Sequence, residues 1–353
     1  MKILFDHQIF YYKYGGAAKY FSKLLEYLPR DSWKCTALYP YTEYLAECGV
    51  MKCHKKLFRG DSVIMEFLNR PYTYSELLRG GFDVYHQTNF STEALLYARK
   101  KPIVTTYHDS NLSTFDPHPE IVKRQEKSLR RADAIICVSV NTKSDMLNLF
   151  DIEESKVKVI YHGIERVNLE GLTPSRIVEN KYVLFVGRRS AYKNFDVMAR
   201  AFSRVQKEFP ELKLVCTMAP FTQEEKELFR KLGIEGSVLH IEASEQTMLR
   251  LYRDAEVFVF PSRYEGFGMP ILEAWQCDCP TIVSDASCFP EIASDASLYF
   301  NPDDDAELAN KIILILTHAE IRDYYVGKGR DRVKLFSWQT CADKHFEIYS
   351  QLQ

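Results

Sequence analysis

Continuous apolar runs alternating with helical patterns predict an α/β fold of two Rossmann-like, doubly wound parallel-sheet domains facing a cleft. Three observations carry that expectation. The strand candidates are β-branched or aromatic without interruption, as strands buried on both faces must be. Helical patterns separate most of them, which is the signature of βαβ units. The alternation also runs twice, and 353 residues exceed what one core usually serves.

The first series of strand candidates is KILFD (2–6), DVYHQ (83–87), PIVTTY (102–107), AIICVS (134–139) and KVKVIY (156–161). The second is KYVLFVG (181–187), LKLVC (212–216), SVLHI (237–241), EVFVFP (256–261) and PTIVS (280–284). Helices are expected over AAKYFSKLLEYL, NTKSDMLNLF, NFDVMARAFSRVQKEF and TQEEKELFRKL. Gly, Pro and Asn without periodicity mark a linker over 166–180, dividing a first domain (1–165) from a second (181–336). The last segment, 337–353, opens on Ser337 as N-cap and reads as a helix.

Composition narrows the function classes. A formal net charge of −2 gives no global attraction to nucleic acid, and none is expected as a partner. The nine cysteines are scattered, and a chain this long can bury a core without staples, so they read as reduced thiols of a cytoplasmic protein. Asp6 and His7 break the N-terminal apolar run too early for a signal peptide. No stretch approaches the roughly 20 apolar residues of a membrane span. The Cys277–Cys279 pair lacks a second pair at zinc spacing, and the acidic run 302–307 reads as a cap for the helix behind it. Neither metal nor cofactor is expected.

In doubly wound domains ligands bind beyond the carboxyl ends of the strands, so the loops there hold the candidate residues. Gly15 and Gly16 precede a helix, where backbone N–H groups can approach an anion; a tight turn explains them equally well. His108 stands just past a strand end, placed for a substrate hydroxyl or for a backbone carbonyl. Arg188 and Lys193 bracket a turn into a helix. Cations there oppose the helix dipole, so an anionic ligand such as a pyrophosphate is their natural reason. Arg189 beside them reads as a solvated surface residue.

The stretch FPSRYEGFGMPILEAW, Phe260–Trp275, places Glu265 in a loop and Glu273 within a helix. Pro270 suits the first helical turn, which leaves the N–H groups of Phe267, Gly268 and Met269 for an anion. Two carboxylates that accept from vicinal hydroxyls, on either side of a phosphate-binding turn, describe a nucleotide-sugar. For Glu273 a dipole-favouring acid is the plainer alternative.

These motifs resemble the family-4 retaining glycosyltransferases of the two-Rossmann-domain (GT-B) type. The resemblance rests on DHQIFYYKYGGAAKYF, KPIVTTYHDSN, ADAIICVSVNTKSDML, KVKVIYHGI, YVLFVGRRSAYKNFD and FPSRYEGFGMPILEAWQCDCPTIVSDASCFPEI, and the bacterial polysaccharide mannosyl- and hexosyltransferases look most similar. It implies that Gly16 faces the donor phosphate and His108 the transferred sugar. Arg188 and Lys193 would hold the diphosphate, Glu265 the sugar hydroxyls, and Glu273 the ribose. The backbone near Ile241 would meet the base, and the C-terminal helix would return to the first, acceptor-side domain. Ala17, Ala18 and Lys19 depart from the family's usual residues, as do Arg263 and CDC, without removing a presumed catalytic group.

The expected function is therefore a retaining, metal-independent hexosyltransferase. It would take a UDP- or GDP-linked hexose as donor and a glycan or lipid-diphosphate-linked acceptor, in bacterial surface polysaccharide synthesis. A nucleotide-sugar epimerase and a catalytically silent nucleotide-sugar-binding subunit are the alternatives. The segment 51–81 mixes six cations with aromatic residues. It reads either as a helical hairpin with its apolar residues inward or as a peripheral contact with the inner face of the cell membrane.

Overall fold

The computed structural model describes residues 1–13, 15–54, 61–92, 94–98, 101–110, 118–189 and 191–353. They form two units, Met1–Gly163 with Ser337–Gln353, and Ile164–Phe336. The first unit holds six parallel strands: β1 (Ile3–Phe5), β2 (Trp33–Cys35), β3 (Val84–Gln87), β4 (Ile103–Tyr107), β5 (Ala134–Cys137) and β6 (Val157–Val159), in the order β2-β1-β3-β4-β5-β6. The second holds β7 (Tyr182–Phe185), β8 (Lys213–Cys216), β9 (Val238–His240), β10 (Val257–Phe260), β11 (Thr281–Ser284) and β12 (Leu298–Phe300), in the order β12-β11-β10-β7-β8-β9.

Every residue of β3, β4, β5, β7, β10 and β11 is buried, which is why these strands read as unbroken apolar runs. The two strands that the sequence pattern did not predict, β2 and β12, sit at sheet edges. Each is three residues long and alternates in burial, so neither offers a run to detect. The strand order reverses direction between β1 and β3 in the first unit and between β7 and β10 in the second. Those are the two topological switch points, where loops diverge and a crevice opens.

Residues 166–180 belong to the second unit rather than standing apart. Arginines hold the segment there: Arg250 donates to the carbonyl of Ser175, Arg253 to that of Thr173, and Arg176 to that of Asp254. The expected hairpin within 51–81 is instead, over its described part, one helix, Asp61–Arg79, with Pro71 inside it. Its Asn69, Thr73 and Leu77 are buried against the first unit.

The helix Trp338–Gln351 is capped as expected by Ser337, which accepts from the N–H of Thr340, and packs on the first unit. Where the chain leaves that unit and returns to it, the two segments touch. A Cβ on Gly163 would stand 2.0 Å from the backbone nitrogen of Trp338, so only glycine fits.

Beneath this helix lies a buried polar chain. His345 Nδ1 lies 2.7 Å from the carbonyl of Cys341, which can only accept, so that nitrogen carries the proton. Its Nε2 then accepts from the Tyr20 hydroxyl at 2.5 Å. His86 bridges Tyr349 (2.5 Å) and Thr106 (2.9 Å). The rings of His108 and His162 each lie 4.9 Å from Tyr20, and His162 stacks on Trp338. This arrangement suits neutral imidazoles. Burial, joined by the His345 imidazole, holds His108 down to about 4, and burial holds His345 down to about 4; burial joined by two neighbouring imidazoles holds His86 and His162 well below the usual histidine value.

Stability should therefore be full above the unfolded histidine value of about 6.5 and fall as pH drops from there toward 4, because the unfolded chain takes up protons that the folded one refuses. Denaturant titrations across this window should show it, with a single such histidine contributing on the order of 3 kcal/mol. The His345→Gln variant should have a shallower slope, and a flat wild-type profile would contradict the buried neutral network.

Candidate active site

At the second unit's switch point, β7 leads into the loop carrying Arg188 and Lys193, and β10 into the loop carrying Glu265. Glu265 lies 72 positions from Lys193, yet the adjacent strands bring the two together. Lys193 Nζ stands 2.5 Å from Glu265 Oε1, with both side chains 14% exposed. The ammonium also lies 5.1 Å from the ring centre of Phe260 and 5.3 Å from that of Tyr192. Arg188 is exposed, and no hydrogen-bond or ion-pair partner holds its guanidinium among the described residues.

Two further contacts join the two loops, and others tie them to the loops after β11 and β12. The N–H of Arg263 donates 2.7 Å to the carbonyl of Tyr192. The buried Asn194 amide donates to the carbonyls of Pro261 (3.1 Å) and Pro302 (2.7 Å), spending both of its N–H groups. The Ser287 hydroxyl donates to the carbonyl of Glu265 (2.7 Å) and accepts from its N–H (3.2 Å), which fixes the backbone beneath the carboxylate. Motif reading missed Asn194 and Ser287 as positioning residues because their partners are distant in sequence. The left-handed backbone at Asn194 (φ 58°) is legible only in the fold.

Glu265 is followed by Gly268, at φ 92°, which caps the helix Met269–Gln276 with Pro270 in its first turn. A Cβ on Gly268 would meet Phe289 at 3.2 Å and Ile271 at 3.3 Å, so both conformation and space call for glycine. Phe267 is buried against Phe336, so the group it can offer a ligand is its backbone. Glu273 lies in the second turn and receives the Tyr252 hydroxyl at 3.3 Å. Ile241 follows β9, and its N–H is committed to the carbonyl of Cys216 at 2.9 Å.

In the first unit, Gly16 opens the helix Gly16–Tyr27 and Gly15 is its N-cap. A Cβ on either would meet nothing within 4 Å, so crowding does not explain the pair. His108 emerges from β4 with its Nε2 buried and without a hydrogen-bond partner among the described residues. That leaves a neutral imidazole able to exchange a hydrogen bond with an incoming hydroxyl.

Arg189 is not the solvated residue its neighbourhood suggested. Its side chain is 3% exposed, pairs with Glu225 at 2.6 Å and donates to the carbonyls of Thr217, Ala219 and Pro220. It shapes the loop after β8, whereas Arg188 faces outward. Within the acidic run, Asp304 caps the helix Asp305–Thr317 through the N–H groups of Ala306 and Glu307.

A loop cation, a cation–carboxylate pair and a glycine-capped helix at the carboxyl edge of a doubly wound sheet define a glycosyltransferase of two Rossmann-like domains. The comparisons carry this to a family. The Glycosyltransferase Family 4 model matches residues 14–166, and the group 1 glycosyl transferase model matches 174–332. The chain is 28% identical to O-antigen chain mannosyltransferase B of Escherichia coli, over 76% of this chain and 74% of that protein. It is 27% identical to the MMP alpha-(1->4)-mannosyltransferase of Mycolicibacterium hassiacum, over 77% and 71%. The crystal structure of Anabaena HepE in complex with UDP-glucose shares the fold with a TM-score of 0.80, at 19% identity over 99% of this chain and all of that one. Sucrose-phosphate synthase of Thermosynechococcus elongatus does so at 0.75 and 19%, over 99% and 98%. The chain belongs to the family-4 glycosyltransferases of GT-B fold.

Removing one member of the Lys193–Glu265 pair should strand its half-buried partner. Lys193→Met should destabilise the protein by about 2 kcal/mol in denaturant titrations, and adding Glu265→Gln should recover part of that loss. Additive losses would mean that the pair is not coupled.

Proposed function

We propose that this glycosyltransferase transfers a hexose from a UDP- or GDP-linked donor, with retention at the anomeric carbon, to a glycan or lipid-diphosphate-linked acceptor. The observation that carries the reading is the cationic turn of Arg188 and Lys193, held beside Glu265 at the switch point. The names of relatives support a role in polysaccharide synthesis: an O-antigen mannosyltransferase, and a Campylobacter jejuni N-acetylgalactosaminyltransferase named for a diphospho-undecaprenol acceptor. A structural neighbour solved with UDP-glucose supports a nucleoside-diphosphate donor.

The slow event is cleavage of the bond between the anomeric carbon and the diphosphate oxygen. Negative charge then grows on the phosphate, where Arg188 and Lys193 would meet it as fixed cations, aided by the N-terminus of the helix Met269–Gln276. In this reading the residues supply the neutralisation that a metal ion supplies elsewhere. Glu265 would accept from hydroxyls of the sugar and Glu273 from the ribose. Neutral His108 would exchange a hydrogen bond with the transferred sugar, and Gly15 and Gly16 would offer backbone N–H groups to phosphate. The acceptor hydroxyl would attack on the face the diphosphate leaves and pass its proton to the departing phosphate oxygen. With a lipid-linked acceptor, this work would be done in the cytoplasm against the inner face of the membrane.

A thermal-shift panel of UDP-, GDP- and ADP-hexoses identifies the donor. The matching nucleotide at 100 times its Kd should stabilise the fold by about 2.7 kcal/mol. Loss of that shift in both Arg188→Ala and Lys193→Ala is expected, with non-additive effects because they share one anion. Unchanged binding in both would remove the phosphate role. Glu265→Ala should lower turnover by roughly a hundredfold, read in a steady-state assay with sugar NMR to establish retention. Turnover should also survive a chelator, and a metal-restored loss would move the reaction into another class.

A further inference from the structure

The helix Asp61–Arg79 turns apolar side chains outward over its first turns. Val63 is 67% exposed, Ile64 46%, Phe67 73% and Leu68 46%, at spacings of one, three and four that put them on one face of a helix. Asn69, Thr73 and Leu77 occupy the opposite, buried face. A water-facing helix normally shows the reverse pattern. Two more exposed apolar residues stand in loops tied to this helix. Leu38, 48% exposed in the loop after β2, has its N–H held by Asn69 at 2.7 Å. Tyr12, 57% exposed after β1, follows Tyr11, whose hydroxyl donates to the carbonyl of Met65. Exposed apolar surface of this kind marks an interaction face.

Its charge surroundings select the occupant. Residues 51–70 carry five cations, Lys52, Lys55, Lys56, Arg59 and Arg70, against two acids, Asp61 and Glu66, in a chain of net charge −2. Lys55, Lys56 and Arg59 lie outside the described residues, so they enter as sequence positions only. An apolar stripe preceded by a basic run has the composition of an interfacial helix, apolar side chains among acyl chains and cations at phosphates. The loops after β1 and β2 that frame the stripe lie on the carboxyl edge of the first sheet, the edge from which β4 presents His108.

We infer that the outward face of the helix Asp61–Arg79, with Tyr12 and Leu38, docks the first unit onto an anionic lipid surface. The inference deepens the glycosyl-transfer reading, on which it rests for its purpose: a protein seated there by this face holds the edge bearing His108 near a lipid-anchored acceptor.

Vesicle flotation tests it. Wild-type protein should float with phosphatidylglycerol-containing vesicles at low salt and much less with phosphatidylcholine alone, and high salt should weaken the binding as surface attraction is screened. Val63→Ser with Phe67→Ser should cut the bound fraction at least tenfold, and Lys55→Glu with Lys56→Glu should remove its salt dependence. Leu335→Ser, at an apolar residue 66% exposed in the other unit, should change nothing. Wild-type protein that stays soluble at low salt overturns the inference, as does undiminished flotation of the double serine variant. Sedimentation showing a dimer that the serine variant dissolves, without vesicle binding, would assign the face to a second copy instead. Donor hydrolysis measured in parallel separates the two proposals: activity without flotation defeats only the docking face, while flotation without donor turnover defeats only the transfer reading.

Discussion

The contact on which the second unit's site depends is the ion pair of Lys193 with Glu265. Charges that are mostly withdrawn from water are tolerated only when partnered, so each residue fixes the other. The pair bridges loops that leave neighbouring strands β7 and β10 in different directions. Asn194 and Ser287 hold the backbone on both sides of it. Arg188, beyond the pair and facing solvent, remains the uncovered cation of the turn.

The first unit is organised by a different constraint. Its returning helix is fastened by imidazole and phenol groups rather than by apolar packing alone, and burial keeps those imidazoles neutral. His108 shares the Tyr20 ring with this network, so the same burial that seats the helix also keeps His108 uncharged. A neutral histidine fits hydrogen-bond exchange with a hydroxyl.

Much of this was legible before any coordinates. Ten strands announced themselves as apolar runs because parallel strands are covered on both faces. Ser337 and the acidic run 302–307, in which Asp304 is the cap, read correctly because capping is a matter of neighbouring residues. The edge strands β2 and β12 were silent since one of their faces need not be apolar. Arg189 misled because composition cannot say which of two adjacent arginines turns inward. The answer depends on Glu225 and three carbonyls that reach it only in the folded sheet. The helix Asp61–Arg79 ran against expectation for a related reason: pattern shows which residues share a face but not whether a partner covers it.

The sequence by itself determined the architecture and the loops at the carboxyl ends of the strands, because periodicity, caps and turn glycines are local properties of the chain. Tertiary structure decided which of those residues meet, which are charged and which face water. Lys193 finds Glu265, His108 loses its proton and Val63 and Phe67 stay exposed through contacts between segments far apart in sequence. Burial and pairing are properties of the folded surroundings, and no local pattern encodes them.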